Sequence, residues 1–159
     1  MVTNAATRVD QLLAVLRETR RVLAPGGRLA FSVWGAPQHN PWITVPASVM
    51  VEREHLARRD PDEPGMFSLR EPDRIASLVT AAGFGQPVVE EMPLRYHFAD
   101  RDRLWAFPSE LQGPIALAIP GLDERERRAV RTAVEERSAE FASGDGYELP
   151  GLSLNVVVT

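Results

Sequence analysis

Trp34, His39 and Trp42 bring two large aromatic surfaces and one imidazole into a span of nine residues. Aromatic faces hold an apolar or planar small molecule, and an imidazole within reach of a hydroxyl can act as a general base. These three are the candidate substrate-binding residues, and no catalytic residue is assigned. Phe67, Tyr96 and Trp105 are further aromatics that read first as core. The other histidines lie apart. His55 ends the run Glu52-Arg53-Glu54-His55, whose acids fall on different faces of a helix, so no metal site is expected. The chain has no cysteine, which excludes disulfides, thiolate nucleophiles and thiolate metal ligands. Ser32, Ser48 and Ser68 lack the strand-to-helix elbow that exposes a serine nucleophile. Gly26-Gly27, Gly83-Phe84-Gly85 and Gly144-Asp145-Gly146 read as helix stops or turns. None is a phosphate cradle between a strand and a helix N-terminus, so no cofactor-binding residue is assigned.

The composition narrows the partners. With 159 residues, 44% hydrophobic and 25% charged, the chain is read as one domain, 1–159, with enough apolar content for a core. A net charge of -4 without a basic block gives no nucleic-acid footprint. All 18 basic residues are Arg, which fits a GC-rich genome of the actinobacterial kind. No apolar run approaches the roughly 18 residues a membrane helix needs. The first residues lack the charged start and apolar core of a signal peptide, so a cytoplasmic location is expected.

The positioning elements follow from periodicity. Leu12, Leu13, Leu16, Thr19, Val22 and Leu23 recur at helical spacing and predict a helix over 8–23, with Thr7 and Asp10 placed for a capping box. Pro25-Gly26-Gly27 stops it. A strand over 28–34 follows, with so little alternation that both its faces should be covered. Pro41 opens a helix running to about 58, with Pro46 a possible kink. A helix over 72–82 ends at Gly83-Phe84 in a Schellman-type stop. The best alternating strand is 87–98, with Met92, Leu94, Tyr96 and Phe98 on one face. Pro93 marks it as an edge strand or a bulge. A short helix over 101–107 should end at Pro108. A longer one, 123–142, is capped by Asp123. Residues 144–151 read as a turn region before a last strand, 153–159.

The run Arg21-Val22-Leu23-Ala24-Pro25-Gly26-Gly27-Arg28-Leu29-Ala30-Phe31-Ser32-Val33-Trp34-Gly35, followed at a distance by Ala81-Ala82-Gly83-Phe84, resembles the fifth-strand region of class I S-adenosylmethionine-dependent methyltransferases of the ubiquinone/menaquinone-biosynthesis-like group. The resemblance implies an α/β fold, the C-terminal part of a Rossmann-like methyltransferase sheet. Residues 28–34 would be its fifth strand, 87–98 its sixth and 153–159 its seventh, the last lying antiparallel between the other two. The inserts 36–71 and 99–152 would be a helical cap over a small-molecule acceptor. The family's glycine loop and ribose-binding acid have no counterpart here. S-adenosylmethionine is thus implied by the family but not expected to bind this chain alone.

The resemblance makes the chain the C-terminal half of a small-molecule methyltransferase, inactive by itself. The alternatives are a non-catalytic ligand-binding or oligomerisation module derived from such an enzyme, and an unrelated α+β ligand-binding domain. A fifth strand without its fourth leaves the 28–34 edge and the first helix uncovered. The expected partner is a second copy, as a homodimer, or a separate N-terminal half.

Overall fold

Pro25-Gly26-Gly27 forces a helix to stop and a strand to start. Gly27 N–H donates to the Ala24 carbonyl at 2.8 Å, and Gly26 takes φ 75°. Proline at the second corner and a positive-φ glycine at the third make a type II turn. The computed structural model describes residues 9–58, 60, 63–111 and 113–159. Its elements are α1 (Val9–Val22), β1 (Leu29–Trp34), α2 (Pro41–Glu52), α3 (Pro72–Ala81), β2 (Val88–Phe98), α4 (Arg101–Glu110), α5 (Pro114–Ala118), α6 (Glu124–Arg137), β3 (Ala142–Ser143) and β4 (Gly146–Val158). The Thr7 and Asp10 capping box lies outside the described side chains.

The fold is mixed α/β with an open antiparallel sheet, in the order β1-β4-β2. β1 pairs with β4 from Leu29↔Val158 to Trp34↔Ser153. Gly146 lies against Phe98, and Gly151 against Leu94 and Tyr96, so β2 also runs antiparallel to β4. Pro93 is accommodated because β2 ends the order.

The chain divides into two compact units. The first takes the described residues of 1–37, 60–93 and 152–159. Its core is aliphatic: Leu16 of α1 and Ile75, Leu78 and Val79 of α3 pack with Leu154, Val156 and Val158, and Leu29, Phe31 and Val33 line the same core. The Schellman stop forms as expected. Gly83 N–H donates to Thr80 and Phe84 N–H to Val79, with Gly83 at φ 93° and Phe84 buried.

The second unit takes the described residues of 38–59 and 94–151. Val49 and Met50 of α2 pack against Ile115, Ile119, Leu122, Val130 and Val134. Asp100 caps α4 and Asp123 caps α6, each accepting from the backbone N–H three residues on.

Several expectations from the sequence need correction. β1 is covered on one face, since Leu29, Phe31 and Val33 are half-buried while Ala30 and Ser32 are exposed. Its weak alternation came from the small size of Ala30 and Ser32, not from burial. Val22 is 63% exposed and leaves the apolar stripe of α1. Met92 is exposed, because β2 is buried progressively toward Phe98. α2 ends at Glu52, where Glu54 at φ 63° breaks the helical path. α4 carries Pro108 inside it and runs on to Glu110. α6 stops at Arg137, before a 3₁₀ turn over Ala139–Phe141. Residues 144–151 are mostly strand. Only Gly144-Asp145 turn, and β4 starts at Gly146 because Tyr147 and Leu149 alternate into the interior.

Candidate functional site

The three sequence candidates occupy three different environments. Trp34 closes β1 in the first unit and is half-buried. Beside it, Gly35 N–H donates to the Leu152 carbonyl at 2.9 Å, and a Cβ on Gly35 would fall 2.7 Å from the Leu152 side chain. The chain therefore passes Leu152 only as glycine. His39 ends a 3₁₀ turn in the second unit and is exposed. Trp42 sits in the first turn of α2 and is 5% exposed.

Trp42 is the centre of an aromatic cluster. It stacks on Tyr96 with centroids 4.8 Å apart and meets Phe107 edge-on at 6.0 Å. Phe98 meets Phe107 edge-on at 5.2 Å. Its indole N–H donates to Asn40 Oδ1 at 2.9 Å, and Asn40 is fully buried. Asn40 stands where an N-cap would, yet its side chain makes no cap bond to the helix. Its backbone carbonyl accepts from Ile43 and Thr44 instead. An asparagine before a proline at a helix start reads as a cap, so its role under the indole is missed from sequence. Gly151 makes room for the cluster, since a Cβ there would stand 2.8 Å from the Tyr96 ring. Burial raises the Tyr96 hydroxyl's pKa, so it stays protonated and can donate a hydrogen bond.

Ionic clamps hold α2 to α6. Glu126 accepts from Arg53 Nε at 2.5 Å and lies 3.0 Å from His55 Nε2. The Arg53 and His55 bonds lower its pKa to about 2. Arg137 donates to Glu52 and to Ser48. These groups tie two helices together, so they read as structural.

Each unit has an open concavity among its described residues. One, of about 360 Å³ in the second unit, is walled by Trp105, Glu124, Arg127, Arg128 and Arg131. Its guanidiniums are largely engaged: Arg128 with Glu124, Arg131 with Glu135 and Asp102, and Arg127 with the Leu122 carbonyl. The other, of about 380 Å³ in the first unit, is walled by Arg20, Leu23, the Pro25-Gly26-Gly27 turn and Thr159. Trp105, from the wider aromatic set, lines one of them. Trp34, His39 and Trp42 line neither. Among the described residues no group of three His, Asp or Glu could hold a metal ion, and no helix is long and apolar enough to cross a membrane.

No family model matches the sequence, and no curated protein matches it.

Proposed function

We propose that this chain is the C-terminal half of a class I S-adenosylmethionine-dependent methyltransferase-like domain for a small-molecule acceptor, and that it is inactive alone. The observation that supports the reading is the strand order. The last strand, β4, lies between β1 and β2 and runs antiparallel to both. This order agrees with the fifth-seventh-sixth arrangement that the resemblance anticipates for 28–34, 153–159 and 87–98. The open face of β1, at Ala30 and Ser32, is the face a preceding half would cover. In this reading the cofactor's groups are supplied by that half. Methyl transfer then needs mainly alignment of acceptor and sulfonium, for which aromatic walls suffice. The partner is a second copy or a separate N-terminal half, with no membrane or nucleic acid involved, in the cytoplasm.

The test combines DNA and calorimetry. The DNA upstream of the Met1 codon should encode a strand followed by a glycine-rich turn. Its product together with this chain should bind S-adenosylmethionine, whereas this chain alone should not. Saturable micromolar binding by this chain alone, or none by the pair, overturns the reading.

A second reading, a non-catalytic binding or oligomerisation module, is favoured by one observation. The Trp42 indole that should line an acceptor pocket is stacked and hydrogen-bonded inside the aromatic cluster.

A further inference from the structure

The two outer edges of the sheet are built to opposite specifications. β2 carries Glu90, Glu91, Pro93, Arg95 and His97. Charge and proline are the usual devices by which an edge strand refuses another strand. β1 reads Leu-Ala-Phe-Ser-Val-Trp, with no charge, no proline and no glycine. Among the described residues no strand pairs with its outer side.

The backbone groups on that outer side can be named. Gly35 N–H bonds the Leu152 carbonyl, continuing the β1–β4 register by one pair. Hydrogen-bonded pairs alternate in an antiparallel ladder. Val33, Phe31 and Leu29 therefore turn their backbone groups to β4, and Ala30 and Ser32 turn theirs outward. The Ser32 Oγ to Asn155 Oδ1 bond at 2.7 Å falls at the close, non-hydrogen-bonded pair this phase requires.

α1 has a matching flank. Val15 and Val22, one heptad apart, are 58% and 63% exposed. They lie roughly 150° round the helix from Arg20, whose guanidinium sits over Phe84 at the end of α3. Short turns join α1 to β1 and α3 to β2, so this flank lies on the β1 side of α1, away from α3. Glu18 and Arg21 border it, paired with each other at 2.6 Å.

We propose that the β1 edge and the Val15–Val22 flank of α1 form a two-fold interface with a second copy of this chain, the β1 strands pairing antiparallel about Phe31. In that register Ala30 meets the partner's Ser32 and Ser32 the partner's Ala30, so each outward residue faces an outward residue. It sets Phe31 on its own copy, an aromatic cross-strand pair at a close position. A two-fold axis brings like to like, and an uncharged strand tolerates this. On α1 the same axis offers Arg21 of each copy to Glu18 of the other, which is charge complementarity along the seam. The argument rests on β1 and α1, and it takes the second copy as the partner, since the fourth strand of a separate N-terminal half would occupy the same edge.

Light scattering across a concentration series should give twice the 17.6 kDa chain mass. Ala30→Pro removes an N–H that β4 does not use. It should leave the circular dichroism unchanged and weaken the dimer at least tenfold. Ser32→Arg adds charge to the edge, at the loss of the side-chain bond to Asn155, and should weaken the dimer likewise. Because the chain has no cysteine, Phe31→Cys installs a lone thiol on the axis, where paired Cα atoms about 4.5 Å apart suit a disulfide. Oxidation should link it into covalent dimers, and the exposed α3 variant Thr80→Cys should remain monomeric on a denaturing gel. A wild-type monomer at every concentration overturns the proposal. So does a dimer that survives both edge variants, or equal cross-linking of the two cysteine variants.

Discussion

The two compact units are held together by different chemistry. The first is a sheet against two helices, with an almost wholly aliphatic interior and the local ion pairs Arg21–Glu18 and Arg70–Glu71 on its surface. The second is a helical group whose interior adds an aromatic cluster around Trp42 and a buried amide, Asn40. Arginine–carboxylate clamps tie its helices. Aliphatic burial is insensitive to pH and salt, whereas clamps between partly exposed charges respond to both. The difference teaches where this molecule is tunable: in the second unit, at the α2–α6 contact.

The largest effect tests how tightly the second unit closes. A side chain at Gly146 would enter the van der Waals shell of the Phe98 carbonyl oxygen and crowd Ala99. Gly146→Val should cost about 4 kcal/mol or prevent folding, read by urea denaturation. Next come the two interiors. Trp42→Ala should cost about 3–5 kcal/mol, since it empties the stack and removes the indole N–H that donates to Asn40 Oδ1. Ile75→Ala, in the aliphatic core, should cost about 3 kcal/mol with no change in salt dependence. A clear salt dependence for Ile75→Ala would break the comparison.

Smaller effects sharpen it. The Glu126 carboxyl is held at about 2 in the folded chain, below its ordinary value of 4.5. Its contribution is complete above pH 4.5 and is lost as pH falls through about 2. Glu126→Gln should therefore be less stable than wild type near neutrality, and the gap should close on acidification, as measured by thermal denaturation at a series of pH values. A constant gap would remove the clamp from the account. At the bottom of the scale, Glu18→Gln in the first unit should leave stability of the unassociated chain unchanged in the same assay, because both members of that pair are exposed.

The sequence exposed the first unit more fully than the second. The limits of α1, β1, α3 and β2 follow from periodicity and from Pro-Gly-Gly and Gly-Phe stops, whose backbone demands are local. Where β1 has Ala30 and Ser32, pattern fails, because a small residue signals neither burial nor exposure. The second unit hid α5 and the first half of β4. Pro150 and Gly151 look like turn residues, yet proline is tolerated at an exposed strand position and Gly151 is required by the Tyr96 ring. For the site, aromatic content drew attention to Trp42 and Tyr96, which stack on each other. Whether they face a ligand or one another depends on Asn40 and Phe107, and neither carries a distinguishing pattern.

One consequence of the strand order concerns synthesis. The central strand of the sheet comes late in the sequence, and the Ser32–Asn155 bond joins residues 123 positions apart. A nascent chain therefore carries β1, apolar and uncharged, without its β4 neighbour until residue 158 has been made. Non-local pairing of this kind slows folding and lengthens exposure to wrong partners. On polysomes, where nascent copies crowd together, the same edge is presented to its own kind before its native neighbour exists. The yield of folded protein should accordingly depend on translation density and on holdase chaperones.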